Sequence, residues 1–245
     1  MRQLFPIADG TLDDESLERA YGDEPDDFLR INFVASADGA STLDGRAGGL
    51  GSARDQQVLR LLRDRSDGIL VGAGTARAET YRALRDDPER AAARTARGLA
   101  RVPPIILVSQ RLTIDPSEPI ISKAVAPTVI VTCAASDRER RGALAAVTPV
   151  IVVGEETVDL VAARQALAER GLRRLVCEGG PTLFGTALAA GIVDELCLTL
   201  SPLLTGPGAG RIVDGHLRIE PSRLQLRHLL EDDGFLFLRY ALGRS

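Results

Sequence analysis

The stretch Leu175-Val176-Cys177-Glu178-Gly179-Gly180-Pro181-Thr182-Leu183 places an acid and two glycines directly after an apolar run, with a proline suited to the first turn of a helix. Such a turn leaves backbone N–H groups free at the helix start. Without a Cβ, Gly179 and Gly180 let a ligand approach the main chain closely. The helix N-terminus and the Thr182 hydroxyl favour a phosphate. Glu178, at the carboxyl end of the strand, is a candidate catalytic acid: burial there would favour a carboxyl group that orients or protonates a basic substrate. The alternative is that Glu178 only caps backbone donors and the glycines only close a tight turn.

A second turn of the same character, Gly72-Ala73-Gly74-Thr75-Ala76-Arg77-Ala78-Glu79, follows the apolar run GILV. Two such turns at strand ends can clamp one dinucleotide. Neither matches G-x-G-x-x-G, because Arg77 takes the third glycine's place in one and the other has different spacing, so a Rossmann fold is not supported. Arg77 and Glu79 are alternatively a surface ion pair. The segment from Asn32 to Gly39, followed by Leu43-Asp44-Gly45-Arg46-Ala47-Gly48-Gly49-Leu50-Gly51, is dense in glycine. That density costs folding entropy and is explained if the loop lies flat against a ligand, or by a flexible surface loop.

Other chemistries are excluded by what is missing. His216 and His228 are the two histidines and neither has Cys or Glu at ligand spacing, which argues against a zinc site or a Ser-His-Asp triad and suggests surface or hairpin positions. The zinc-deaminase signature H-x-E…P-C-x-x-C is absent. Cys133, Cys177 and Cys197 sit far apart in apolar runs and read as buried thiols. A net charge of -4 with interspersed signs and few aromatics offers nucleic acid neither a cationic face nor stacking platforms. No apolar run approaches membrane-spanning length and no signal-like start is present, so a cytoplasmic protein is expected.

The elements that must hold these residues alternate. FLRINFV, GILVG, IILVS, TVIVT, PVIVV, RRLVCE and DELCLTLS read as strands separated by helical patterns, which implies a mainly parallel sheet with helices on its faces. A helix from Ala53 is capped by Ser52 with Asp55, and Val58, Leu59 and Leu62 form its buried stripe. A second helix starts at Thr157 or Asp159, buries Leu160, Ala163 and Leu167, and stops at Gly171. From Arg223 two extended segments around Glu231-Asp232-Asp233-Gly234 predict an antiparallel hairpin. The Ala/Arg-rich stretch 84–101 reads as a solvated helix or mobile excursion. At 245 residues and 44% apolar content one domain is expected, residues 1–27 a surface arm and 28–241 the core.

Asn32 to Gly39, VGAGTARAE and EGGPTLFGTALAAGIVDELCLTLSPLL resemble, in order and spacing, the C-terminal reductase domain of the riboflavin-pathway deaminase-reductases, from about Phe28 to Tyr240. The resemblance is strongest to stand-alone actinobacterial members. It implies a dihydrofolate-reductase-like α/β fold, NADPH as cofactor, a homodimer, and reduction of 5-amino-6-(5-phosphoribosylamino)uracil. Carried onto matching positions, NADPH would contact Val34, Gly49, Thr75, Glu79, Ser109, Gly179, Gly180, Pro181, Thr182, Leu183, Phe184, Gly185 and Thr186. Ser109, with Arg111 nearby, would favour NADPH over NADH. The heterocyclic substrate would lie near Ala47, where the family often has serine, and near Arg63, Arg85 and Glu178. Glu178 and Asn32, where relatives often carry lysine, would be catalytic. Loss of that lysine keeps open a pterin as substrate, and a non-catalytic NADPH-binding protein is a further alternative.

Overall fold

A computed structural model describes residues 1–7, 10–22, 24–216 and 220–243. Ten strands form one sheet: β1 (Arg2–Phe5), β2 (Phe28–Ser36), β3 (Gly68–Gly72), β4 (Ile105–Val108), β5 (Val129–Thr132), β6 (Val150–Val152), β7 (Arg174–Cys177), β8 (Glu195–Ser201), β9 (Leu224–Asp232) and β10 (Phe235–Leu242). Their order is β1-β9-β10-β8-β2-β7-β3-β4-β5-β6. From β8 to β6 every neighbouring pair is parallel, whereas β10, β9 and β1 are added antiparallel. The mainly parallel sheet and the C-terminal hairpin are therefore as expected. Residues such as Ile69, Ile106, Ile130 and Val176 are almost wholly buried, as strands covered on both faces by helices require.

The helices are α1 (Asp14–Ala20), α2 (Ala53–Asp64), α3 (Ala73–Ala78), α4 (Pro88–Ala96), α5 (Pro119–Ser122), α6 (Arg138–Ala145), α7 (Leu160–Ala168) and α8 (Pro181–Ala189). Ser52 caps α2 by accepting from Asp55 N at 3.1 Å, as its sequence suggests. Val58 and Leu62 are buried beside Ile69 and Val176, but Leu59 turns onto a cavity wall instead of the core. Asp159, not Thr157, caps α7, whose Leu160, Ala163 and Leu167 are buried. Gly171 beyond its end has φ +80°. The hairpin turns at Asp233 and Gly234, with φ of 50° and 80°, the left-handed pair that a tight two-residue turn between twisted strands needs.

Two segments are more integrated than their composition suggests. Residues 1–27 are not a simple surface arm: β1 pairs with β9, and α1 buries Leu17 with the adjoining Tyr21 against the sheet. Within 84–101, α4 is anchored by Arg94, which is buried and donates to Arg63 O at 2.6 Å and Ala100 O at 2.7 Å. The three cysteines are buried and unpaired by disulfides. Among the described residues no helix is long and apolar enough to cross a membrane.

Candidate functional site

The sheet positions the site through the carboxyl ends of β2, β3 and β7, where ligands of open α/β sheets collect. There β3 runs into α3 and β7 runs through Glu178-Gly179-Gly180 into α8. The two turns touch: Gly72 N donates to Gly179 O at 2.8 Å. The Gly179–Gly180 peptide is cis. Neither α3 nor α8 has a side-chain cap, so backbone donors at both helix starts remain available.

A cavity of about 440 Å³ opens on one side of these turns, lined by Asn32, Val34, Ala47, Thr75, Glu79, Glu178, Gly180 and Pro181, together with Asp55, Leu59, Arg63, Tyr81 and Arg82. A second, of about 580 Å³, opens on the other side, lined by Gly72, Ala73, Gly74, Gln110, Thr182, Leu183, Gly185, Thr186 and residues 213–216. The run 180–186 thus divides between them, except that Phe184 points into the core and stacks on Phe33 at 5.5 Å. Gly74 would meet nothing within 4 Å if given a Cβ, which leaves the start of α3 open toward the second cavity.

Glu178 is the most highly connected group of the first cavity. Arg63 grips both of its oxygens, Nε to Oε1 and Nη2 to Oε2, each at 2.6 Å, and Tyr81 donates to Oε2 at 2.7 Å. The carboxyl group of this candidate catalytic residue is therefore an ion-paired acceptor in the structure. The Glu178 side chain is 3% exposed and that of Arg63 18%. Burial works against the Arg63 charge, but the adjacent carboxylate outweighs it and raises the guanidinium pKa. Burial and the Glu178 charge together raise the Tyr81 phenol well above its ordinary value, so it faces the cavity as a neutral donor.

The glycine-dense loop does lie along this cavity. Gly45, Ala47, Gly48 and Gly51 line it, and Asp44 and Gly45 adopt φ of 51° and 79°. Glu79 pins the loop by accepting from Ala47 N at 2.7 Å; Arg77 instead reaches Thr113, so the two do not pair with each other. Asp38 fastens the neighbouring turn, accepting from Gly206 N at 2.8 Å and from Thr205 N.

Besides Phe184, four expected site residues lie off both walls in this structure. Arg85 is exposed and Arg82 reaches the first cavity in its place. Ser109 is buried and accepts from Leu112 N at 3.0 Å, while its neighbour Gln110 lines the second cavity. Gly49 packs against Leu43 and Gly179 against Phe33, where an added Cβ would come to 3.2 Å in each case. His216 lines the second cavity, whereas His228 is buried in β9 against Tyr21. Sequence reasoning missed Asp55, Leu59, Tyr81 and Arg82 as site residues. The signal was available for α2, where Asp55, Leu59 and Arg63 recur every four residues on one face. No group of His, Cys, Asp and Glu able to hold a metal occurs among the described residues.

These features define an α/β protein with two cavities against adjacent strand ends: one polar and partly charged, the other a glycine-floored cleft beside an uncapped helix start. Residues 27–235 match the RibD C-terminal domain, and the chain belongs to that family, the reductase family of riboflavin biosynthesis. It is 28% identical to the 2,5-diamino-6-ribosylamino-4(3H)-pyrimidinone 5′-phosphate reductase of Archaeoglobus fulgidus over 81% of this chain and 91% of that protein. The enzyme of the same description from Methanothermobacter thermautotrophicus is 31% identical, over 74% and 78% of the two chains. A solved pyrimidine reductase-like protein of Corynebacterium diphtheriae superposes with a TM-score of 0.84 at 31% identity, covering 93% of this chain and 98% of the other.

Proposed function

We propose that this chain is an NADPH-dependent reductase of a ribosylaminopyrimidine 5′-phosphate, converting the ribosyl group to ribityl in riboflavin biosynthesis. The observation that carries the reading is the pair of cavities meeting at the Gly72 and Gly180 turns. One provides backbone donors and open space beside the start of α8, suited to a dinucleotide's diphosphate; the other provides a rigid polar wall for a heterocycle.

When bound, the nicotinamide supplies the hydride. The chain supplies alignment and charge. Val34, Thr75 and Gly180 border the first cavity at the turns and bring the reducing end of the cofactor alongside the substrate; Thr182, Gly185 and Thr186 extend the cofactor site into the second cavity. Arg63 locks the Glu178 carboxylate in one orientation, so that it can accept a substrate N–H or O–H without rearranging. Tyr81 offers a neutral hydroxyl at the same place. Arg82 at the rim is the cation for the substrate's phosphate, and Asn32, on β2, adds a neutral hydrogen-bonding group where relatives often carry a lysine. We further infer a homodimer working in the cytoplasm, on the family resemblance.

The reading is tested by following NADPH absorbance with purified protein and a ribosylaminopyrimidine 5′-phosphate, with mass spectrometry for a product two hydrogens heavier. Turnover that requires both is expected. NADPH binding without oxidation would leave only the nucleotide-binding part standing.

A further inference from the structure

Resting on that reductase reading, we propose that Asp55 reads the base edge of the substrate and selects a 2-amino-4-oxo pyrimidine ring over a uracil. Asp55 is the third residue of α2, only 7% exposed, and stands on the wall of the first cavity. Burial pushes its pKa up, and a hydrogen bond with Thr199 offsets this in part. No Lys or Arg among the described residues forms an ion pair with it; the neighbouring Arg54 turns to Asp232 and Gln57. A buried carboxyl group without a cation is costly unless something brings it hydrogen-bond donors, and the cavity is the side from which they can come.

The geometry of α2 says what kind of donor. Asp55, Leu59 and Arg63 face the cavity at four-residue intervals, so successive side chains are spaced about 6 Å along the helix axis. A flat ring lying on Leu59 presents one edge to Asp55 and directs its substituent toward the Arg63–Glu178 pair. Gly51, on the same cavity wall, approaches the carboxyl group closely: a Cβ there would lie 2.7 Å from Asp55 Oδ2, so a larger residue at 51 would displace the acid.

A 2-amino-4-oxo ring shows N3–H and the 2-amino group side by side, two donors for two carboxylate oxygens. Uracil puts the O2 carbonyl beside N3–H, so one carboxylate oxygen faces another acceptor. Paired, charge-assisted hydrogen bonds are the strong ones, and a site built for them rejects a ligand that leaves a buried partner unsatisfied. The 2-amino-4-oxo edge is shared by diaminopyrimidinones and pterins, and the experiment must separate these sources.

With full-length protein and NADPH, kcat/KM is compared for 2,5-diamino-6-ribosylamino-4(3H)-pyrimidinone 5′-phosphate, its uracil counterpart and 7,8-dihydropterin. The 2-amino substrate is expected to lead the uracil by about 100-fold, in line with discrimination by a hydrogen-bonding site. Asp55→Asn presents one donor and one acceptor, and should narrow or invert that ratio. Gly51→Ala keeps the acid but displaces it, and should narrow the ratio too, which guards against misfolding of the first variant. Equal use of the two substrates by the wild type, a uracil preference, or an unchanged ratio in both variants overturns the proposal. Reduction of dihydropterin alone keeps the role of Asp55 and retires the ribosyl phosphate. If nothing is reduced, the reductase reading falls, and calorimetry with 2-amino-4-hydroxypyrimidine and uracil decides the role of Asp55: tighter binding of the former, lost in Asp55→Asn, sustains it, and equal binding ends it.

Discussion

Gly180 and Thr75 are packed so closely that a Cβ on Gly180 would stand 2.2 Å from Thr75 Oγ1. The glycine is needed by the protein's own fold, because the starts of α3 and α8 converge there, and not by a ligand alone. A variant at this position therefore cannot separate cofactor binding from stability in the simple way its place in a glycine turn suggests.

Gly180→Ala should lower stability by about 1–3 kcal/mol through overpacking, and weaken NADPH binding as well. Thr75→Ala removes the colliding oxygen, so the double variant should recover part of the loss. Urea denaturation of the four proteins in the cycle measures the coupling, and additive effects would show that Gly180 and Thr75 do not pack against each other in solution.

Glu178→Gln removes the charge that Arg63 holds with two bonds, so the fold itself should suffer. Stability is expected to drop by about 2 kcal/mol because a mostly buried guanidinium loses its counter-charge. Turnover should fall at least about 100-fold if the carboxylate also holds substrate. Lost stability with unchanged turnover, from thermal melts and NADPH oxidation, would reduce Glu178 to a structural anchor.

His228 gives the fold a pH dependence. Its Nδ1 lies 3.1 Å from Ala20 O and must be the donor, while Nε2 is buried with no partner. Burial, assisted by the Arg239 charge, lowers its pKa from 6.5 to about 4. The unfolded chain therefore binds more protons at this position between these values, and stability rises with pH across that window. It is fully present above about pH 6.5 and is lost progressively toward pH 4, by up to about 3 kcal/mol. Urea melts at several pH values should show the slope in the wild type and a shallower one in His228→Gln.

What was legible in the sequence was local. Ser52, Gly171 and the Asp233-Gly234 turn each act on their own backbone within a few residues, and the apolar runs of the parallel strands need no partner to be recognised. What escaped depended on contacts between distant segments. Asp55 reads as a capping partner until β8 and the Gly51 loop close around it; Glu178 reads as a catalytic acid or a backbone cap until Arg63, 115 residues earlier, pairs with it. Residues 1–27 look peripheral by composition, yet β1 finds its edge only after β9 has formed at the other end of the chain.

The structure redistributes the residues that should set cofactor choice. Ser109 follows β4 where an adenine ribose would rest, but its hydroxyl oxygen accepts from Leu112 N inside the turn and the residue is buried, 6% exposed. Arg111 in the same turn is exposed, and Gln110 lines the second cavity beside Thr157, Val158 and Leu160. A 2′-phosphate lying at this turn would gain a charge-assisted contact from a guanidinium and nothing from a buried hydroxyl. Ser109→Ala should therefore cost about 1 kcal/mol of stability through the lost turn hydrogen bond and leave the ratio of NADPH to NADH affinity unchanged. Arg111→Ala should leave stability and NADH affinity alone and weaken NADPH about 10-fold, the equivalent of one partly exposed charge-assisted contact. Calorimetric titration of both nucleotides into both variants checks the assignment. If Ser109→Ala alone equalises the two affinities, the hydroxyl must leave its turn to meet the phosphate, and Arg111 has no part in the choice.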